Sequence, residues 1–286
     1  MSILRVAIKF FDYYFYSTKG LQFKFLFNIR ALITRSDARI EFFKKPAHYQ
    51  VFSTNKSEKR IIKFHSEPAG ANTYSRGLFE RGEGIGRVYF LDQINFKNGD
   101  SIIDCGANTG DLLLWFQNNN LEIKYTGFEP SLSEFECLKK NISPHKAINS
   151  ALWNAEGEKD FFASSDNGDS SIFEPVAFND VYKVKTERLE KYINSEVKLL
   201  KVEGEGAEPE IIEGLGKNLD LVHYISADLS DERGVLLEYT VVQVTNFLLS
   251  NNFELVEFSP DRFIFLFRNK NIHLSRKALS GTLLSK

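Results

Sequence analysis

Cysteine is nearly missing from this chain. Cys105 and Cys137 are the only two thiols in 286 residues. Two cysteines do not make a disulfide framework, and both fall in apolar patterns, so two buried reduced thiols are expected. No run of about 18 uncharged apolar residues exists, which argues against a membrane-spanning helix. Lys9 and Asp12 interrupt the first apolar run, so a signal-peptide centre is not expected there. A dominant charge is missing as well. The net charge of -2 gives no case for nucleic acid. Internal repeats and low-complexity linkers are also lacking. These absences leave a cytoplasmic soluble protein as the expectation.

What is present is unevenly charged. Of 36 Lys/Arg and 38 Asp/Glu, nine and three fall within residues 1–45, so that segment carries +6 and the rest -8. Ile3, Val6, Ala7, Phe10, Phe11, Tyr14 and Phe15 fall at helical spacing, which predicts an amphipathic helix. A basic aromatic-rich arm of this kind suits a packing cap or homo-oligomer contact. It also leaves peripheral membrane contact open. Residues 21–33 are apolar enough for helix or strand, and 47–75 read as irregular or short strands. Residues 1–75 are therefore set apart as an extension, with the main domain over 76–286. In 76–92 a loop leads into a short helix or turn, and within 74–89 Tyr74, Arg76, Arg81 and Arg87 are placed to form a lid.

From residue 100 the chain becomes regular. Strands are expected at SIIDCG, EIKYTGFEP, HKAINSALW, EKDFFAS, VKLLKVEG and LVHYISADLS, then at FELVEF and RFIFLFR around a Ser-Pro-Asp turn. Helices are expected at DLLLWFQNN, SLSEFECLKKNI, PEIIEGLGKN and 236–250. Strand and helix alternating in this way predict an α/β fold on a parallel sheet, with the last hairpin adding antiparallel strands.

The first strand ends in DCGANTGD (104–111). Ligands of doubly wound sheets sit at the carboxyl ends of strands, beside this turn. A dinucleotide turn needs G-x-G-x-x-G. Counting from Gly106, the second glycine position holds Asn108 and the third holds Asp111. Asp111 suits a helix start but would repel a phosphate. Glu129 follows Gly110 by 19 residues, where an acid reaches ribose hydroxyls in such folds. Asp104 and Glu129 flanking a glycine turn suit a cationic adenosine derivative. S-adenosylmethionine, with its sulfonium, ammonium and ribose diol, has that character.

At this point the chain resembles the FkbM-type methyltransferases, class I S-adenosylmethionine-dependent enzymes. The resemblance rests on DSIIDCGANTGD, GFEPSLSEFECLKKN, SALWNAEGEKDFF with the later GDSS, TERLEKYI and LLKVEGEGAEPEIIEGL. It runs from Arg76 to Arg268. The family text looks like L-K-I-D-V-E-G-A-E in the fourth strand. Here Glu203 stands for the Asp and Gly204 for the Val, while Glu205, Gly206, Ala207 and Glu208 match. The resemblance implies a doubly wound, mostly parallel seven-stranded Rossmann-like sheet. It implies that Asp104, Gly106, Ala107, Asn108 and Gly110 shape the cofactor loop. Glu129 would take the ribose, Pro130 would line the adenosine, Ser150, Ala151 and Leu152 would face the adenine, and Glu203 would stand beside the sulfonium. It also implies O-methylation of a sugar, glycan or natural-product hydroxyl.

The acidic stretch 199–212 divides in two. Glu208 and Glu210 read as the first turn of a helix opened by Pro209, favoured by its dipole. Glu203 and Glu205 lie at the strand end and face the crevice. Asp228, closing the fifth strand, leads as general base, with Glu203 second and Glu205 third. Mg²⁺ held by Glu203, Glu205 and Asp228 is an oxygen-ligand alternative, but no metal site is expected. Lys201 reads as a satisfied core lysine or a catalytic one, and His223 as a packed histidine. His65 and His145 have no partner pattern. Ser170, Ser171 and Arg76 are expected at the acceptor. Two other readings stay open: a non-catalytic binder of the same nucleoside, and a nicotinamide-dependent oxidoreductase, which the missing glycines disfavour.

Overall fold

The computed structural model describes residues 18–45, 47–55, 61–64, 70, 72–164 and 170–272. The amphipathic stretch at 3–15 and His65 lie outside them. Residues 21–33, ambiguous between helix and strand by composition, lie in helix α1 (Gly20–Ile33). Phe23, Phe27 and Ala31 recur every four residues on its buried side while Phe25 between them is exposed, a pattern a helix aligns and a strand does not. Three antiparallel strands follow: β1 (Ala38–Lys44), β2 (Ala47–Ser53) and β3 (Ile61–Phe64). Phe23, Phe27, Ile40, Tyr49 and Val51 share a core with Tyr74, Leu78, Leu114 and Cys137. Helix α1 and strands β1 and β2 thus share one apolar core with residues 74–137. Helix α2 (Leu78–Val88) makes the transition.

The main sheet starts with β4 (Ser101–Cys105), helix α3 (Leu112–Asn118), β5 (Lys124–Phe128), helix α4 (Leu132–Asn141) and β6 (Lys146–Ile148). Here the expected third strand, HKAINSALW, divides. Ile148 is the last residue paired to β5. Asn149 then donates to the carbonyls of Glu129 and Pro130 at 2.9 and 3.0 Å, and the chain crosses into a second sheet. That sheet has the order β7 (Ala151–Leu152), β9 (Asp180–Glu187), β8 (Gly157–Ala163). Strand β9 has no counterpart in the sequence reading, because its buried side chains cluster at one end of the strand.

The chain returns through β10 (Val197–Val202), helix α5 (Glu208–Glu213), β11 (Val222–Asp228), helix α6 (Val241–Ser250), β12 (Phe253–Ser259) and β13 (Ile264–Asn269). The seven-stranded order is β12-β13-β11-β10-β4-β5-β6. The five inner-to-edge strands from β11 to β6 are parallel, and β13 inserts antiparallel between β11 and β12. This is the doubly wound α/β architecture. Helix α6 starts at Val241 rather than 236. Leu237 sits in the left-handed region at φ 51, and a buried Thr240 gives its hydroxyl to Glu208. Cys105 and Cys137 are buried thiols with no disulfide. No helix among the described residues is long and apolar enough to cross a membrane.

The central strands are covered by helices on both faces, which demands near-continuous apolar runs. Ile102, Leu199, Leu200, Val202, Ile225 and Ala227 are all fully buried. Truncation at the centre should therefore be expensive and truncation at the surface should not. Leu199→Ala should lower stability by about 2–5 kcal/mol. Leu249→Ala, on an exposed face of α6, should stay within about 0.5 kcal/mol. Urea unfolding of the two variants checks this, and equal midpoints would contradict the sheet order.

Candidate functional site

The carboxyl ends of β4, β5, β10 and β11 open into one cleft of about 590 Å³. Its floor is the turn after β4. Gly106, Asn108 and Gly110 all carry positive φ, at 70°, 48° and 91°. A side chain on Gly106 would place its Cβ 1.9 Å from the Glu203 carbonyl oxygen, so the turn and the end of β10 meet backbone to backbone. At Gly110 a Cβ would press on Ile142 at 2.6 Å, so helix α4 sets that glycine. The Ala107 N–H bonds the Phe128 carbonyl at 2.9 Å, tying the turn to β5.

Glu129 is buried at the end of β5. One carboxylate oxygen accepts the Asn108 N–H and the other the Ser131 N–H, both at 2.9 Å. Burial nevertheless pushes its pKa up to about 8, with those two bonds opposing the shift. A carboxylate offers about four lone-pair sites, so two remain for a diol. Pro130, Ser150, Ala151 and Leu152 line the same wall. The Ser150 hydroxyl is already committed to the carbonyls of Ala151 and Lys185, at 3.1 Å each.

Lys201 settles between its two readings as the hub of the floor. It is buried, with Nζ 2.8 Å from Glu203 Oε2, 3.2 Å from Asp104 Oδ1, and 2.8 and 3.3 Å from the carbonyls of Gly106 and Cys105. Burial works against its charge, but Asp104 and Glu203 outweigh this and hold its pKa well above the ordinary lysine range. Asp104 also accepts the Tyr125 hydroxyl on its other oxygen, which leaves Lys201 as the partner of Oδ1. Burial raises its pKa against the pull of Lys201. For Glu203 burial would raise the pKa, yet Lys201, the Tyr89 hydroxyl and Arg81 bring it below the usual value. Glu203 is half-buried on the cleft wall. Gly204, in the position of the family's valine, leaves room that Ile211 fills, its Cδ1 2.5 Å from where a Cβ would stand.

Asp228 lines the opposite side. Its Oδ1 accepts the Ser230 N–H and hydroxyl at 3.1 and 2.6 Å, and burial raises its pKa. Glu232, absent from the sequence reading, lines the cleft beside it. Burial, then the charges of Asp228, Glu203 and Glu208, push Glu232 up to about 8. An acid four residues beyond a strand end, in DLSDE, is the signal that could have pointed to it. Glu205 lines the cleft from a left-handed turn at φ 50.

Glu208 and Glu210 stand in the first turn of α5, as the sequence predicts, and make specific bonds besides. Glu208 is buried and accepts the N–H groups of Gly204 and Gly206, at 2.8 and 3.1 Å, and the Thr240 hydroxyl at 3.1 Å. Glu210 forms a paired bridge with Arg233 at 2.7 and 2.9 Å. Asp111 takes Arg81 Nε at 2.7 Å and the Tyr74 hydroxyl, rather than capping α3 with its side chain. Arg76 and Arg87 are exposed and outside the cleft, whereas Tyr74, Arg81 and Tyr89 line it. Ser170 lines the cleft; Ser171 instead donates to the Glu205 carbonyl at 2.6 Å. His223 packs with Glu196 at 2.9 Å. Among the described residues no cluster of three His, Cys, Asp or Glu could hold a metal ion.

The family model described as the Methyltransferase FkbM domain matches residues 104–255, just over half of the chain. No curated protein matches. Similar solved structures include magnesium protoporphyrin IX methyltransferase from Synechocystis PCC 6803 with bound S-adenosylmethionine. It is 9% identical, with 67% of this chain and 79% of that one covered, at a TM-score of 0.39. TrmK from M. capricolum, with S-adenosylhomocysteine, is 12% identical over 64% and 68% of the two chains, at 0.35. The plantazolicin methyltransferase BpumL, also with S-adenosylhomocysteine, is 14% identical over 71% and 89%, at 0.38.

Two substitutions test the floor. Lys201→Met should cost about 3–5 kcal/mol, since it strands the buried Asp104 and the half-buried Glu203. A loss below about 1 kcal/mol in urea would contradict the hub. Glu208 has a folded pKa raised to about 7, mainly by burial. A raised acid stabilises fully below its unfolded pKa, about 4.3, and loses that contribution as pH rises through 7. Glu208→Gln keeps an acceptor for the turn without the titration. Its stability relative to wild type should therefore improve between about pH 4.5 and 7. Parallel melting curves over that range would show no divergence if the carboxyl were solvated.

Proposed function

Because the chain belongs to the FkbM methyltransferase family, we propose that this cleft binds S-adenosylmethionine and directs its methyl group to a hydroxyl of a sugar, glycan or natural product. The single observation carrying the proposal is the pairing of two distinct ends in one cleft. A glycine turn with a diol-accepting carboxylate lies at β4 and β5, and a pair of high-pKa carboxyls lies at β11.

The residues fit the cofactor. Asp104, buried at the end of β4 and lining the cleft, brings negative charge toward a cationic ligand, with Lys201 as its standing partner. Glu129 has lone pairs left for ribose hydroxyls, and Ala151 and Leu152 offer an apolar wall for a base. Arg81, which lines the cleft where Arg76 does not, is the cation available for a carboxylate, and Asp111 holds it by Nε. The cofactor supplies an electrophilic methyl group when bound.

The protein supplies position and a proton acceptor. In-line approach of the acceptor oxygen accounts for most of the rate. Asp228 is the base we favour, with Glu232 lining the same cleft as the second candidate. Burial raises both pKa values, helped by the charge of Glu203 at Asp228 and by the charges of Asp228, Glu203 and Glu208 at Glu232, the direction that suits a general base. Glu203, bound to Lys201 and held ionised, is better suited to electrostatic support than to proton removal.

Calorimetry discriminates the readings. S-adenosylmethionine and S-adenosylhomocysteine should bind and NAD should not, and Glu129→Ala should weaken the nucleosides at least about tenfold. Binding of NAD alone would overturn the proposal. With a hydroxylated acceptor pool and mass-spectrometric detection of a methyl increment, Asp228→Asn should lower turnover by about 10²–10⁴-fold. Unchanged nucleoside binding with no methylation of any hydroxyl would favour a binder.

A further inference from the structure

Residues 231–239 join β11 to α6, and the chain doubles back there as a short hairpin. Arg233 and Glu238 exchange both backbone bonds, at 3.3 and 3.2 Å. Between them Val235, Leu236 and Leu237 are 56%, 77% and 49% exposed, and Tyr239 just beyond is 50% exposed. Three consecutive exposed apolar side chains are a liability on a soluble surface unless function needs them. Leu237 is further held in the left-handed region at φ 51, a conformation a leucine keeps only when its surroundings impose it.

The surroundings do impose it. The Arg233 guanidinium bonds the Gly206 carbonyl at 2.6 Å, pairs with Glu210, and lies 3.9 Å from the Phe173 ring centroid. At the other end Tyr239 packs on Phe263, with ring centroids 4.8 Å apart, next to the cleft-lining Arg262. Glu232, immediately before Arg233, lines the cleft itself. The hairpin is therefore anchored at the mouth of the cleft, on the side of Asp228 and Glu232.

We infer that the acceptor is amphiphilic: its hydroxylated head enters the cleft, and an apolar tail or aglycone lies along Val235–Leu237. This deepens the methyl-transfer reading and rests on it. The cleft, about 590 Å³, is sized like a site for small ligands. With a nucleoside along the glycine turn, a head group would stand beside Asp228 and Glu232, which line the same cleft. Those carboxyls would lose hydration against hydrocarbon, so a tail is kept out of the interior. The rest of the acceptor must cross the rim, where the hairpin offers it apolar surface.

The test uses the full chain with n-octyl β-glucoside below its micelle concentration and methyl β-glucoside. Both are titrated with S-adenosylhomocysteine present, beside a nucleoside titration that checks the underlying reading. Wild type should bind the octyl compound at least tenfold more tightly than the methyl one. The L236S/L237S variant should lose that preference while keeping its affinity for S-adenosylhomocysteine. Equal or undetectable binding of the two glucosides by wild type overturns the inference, as does a preference that survives in the variant. Binding confined to phosphatidylcholine vesicles, or a dimer in sedimentation that the variant abolishes, also overturns it and assigns the tip to a bilayer or a second copy. Failure of wild type to bind S-adenosylhomocysteine overturns the methyl-transfer reading instead, whatever the glucosides do.

Discussion

One buried ammonium ion holds the site in register. Lys201 lies beside Asp104 in the pairing of β10 with β4, so its side chain rises at the boundary between sheet and cleft. From there it touches Asp104, Glu203 and two carbonyls of the glycine turn. A charge taken out of water costs several kcal/mol unless it is paired and fully hydrogen-bonded. The lysine therefore fixes three things together: the ionised state of Glu203, the position of Asp104, and the curl of the turn at Gly106. The close approach of Gly106 to the Glu203 carbonyl completes the arrangement, because no other residue type allows the turn to come so near.

A second tier of polar contacts holds the far side. Glu208 gathers the Gly204–Gly206 turn and Thr240, while Glu210 holds Arg233. Both acids belong to α5, so a single short helix aligns the end of β10 with the hairpin after β11. The cleft then has a floor charged by Lys201 and its partners, and a wall where burial raises the pKa of Asp228 and Glu232. On the proposed reading, such a division would separate recognition of a cation from removal of a proton within one cavity.

Much of this was legible in the chain. The glycine turn could be read because its residues are contiguous, and because each departure from a dinucleotide turn has a local consequence. Asp111 cannot face a phosphate, and Asn108 tolerates the left-handed conformation that the turn needs. Glu129 could be read from its distance along the chain. What could not be read depends on contacts between distant segments. Arg76 and Arg81 look alike in sequence, but only Arg81, on α2, faces Asp111. Strand HKAINSALW reads as one element, although its halves belong to different sheets. Glu208 reads as an ordinary first-turn acid until Thr240, 32 residues away, arrives against it.

The sequence by itself determined the alternation of strand and helix, the glycine turn, and the acids at the strand ends, because periodicity, turn chemistry and spacing are local properties. Tertiary structure alone decided that Lys201 is a hub, that Glu232 joins Asp228, and that residues 233–238 form an apolar hairpin instead of a helix. Those outcomes depend on desolvation and pairing across the sheet, and both exist only once the strands have assembled.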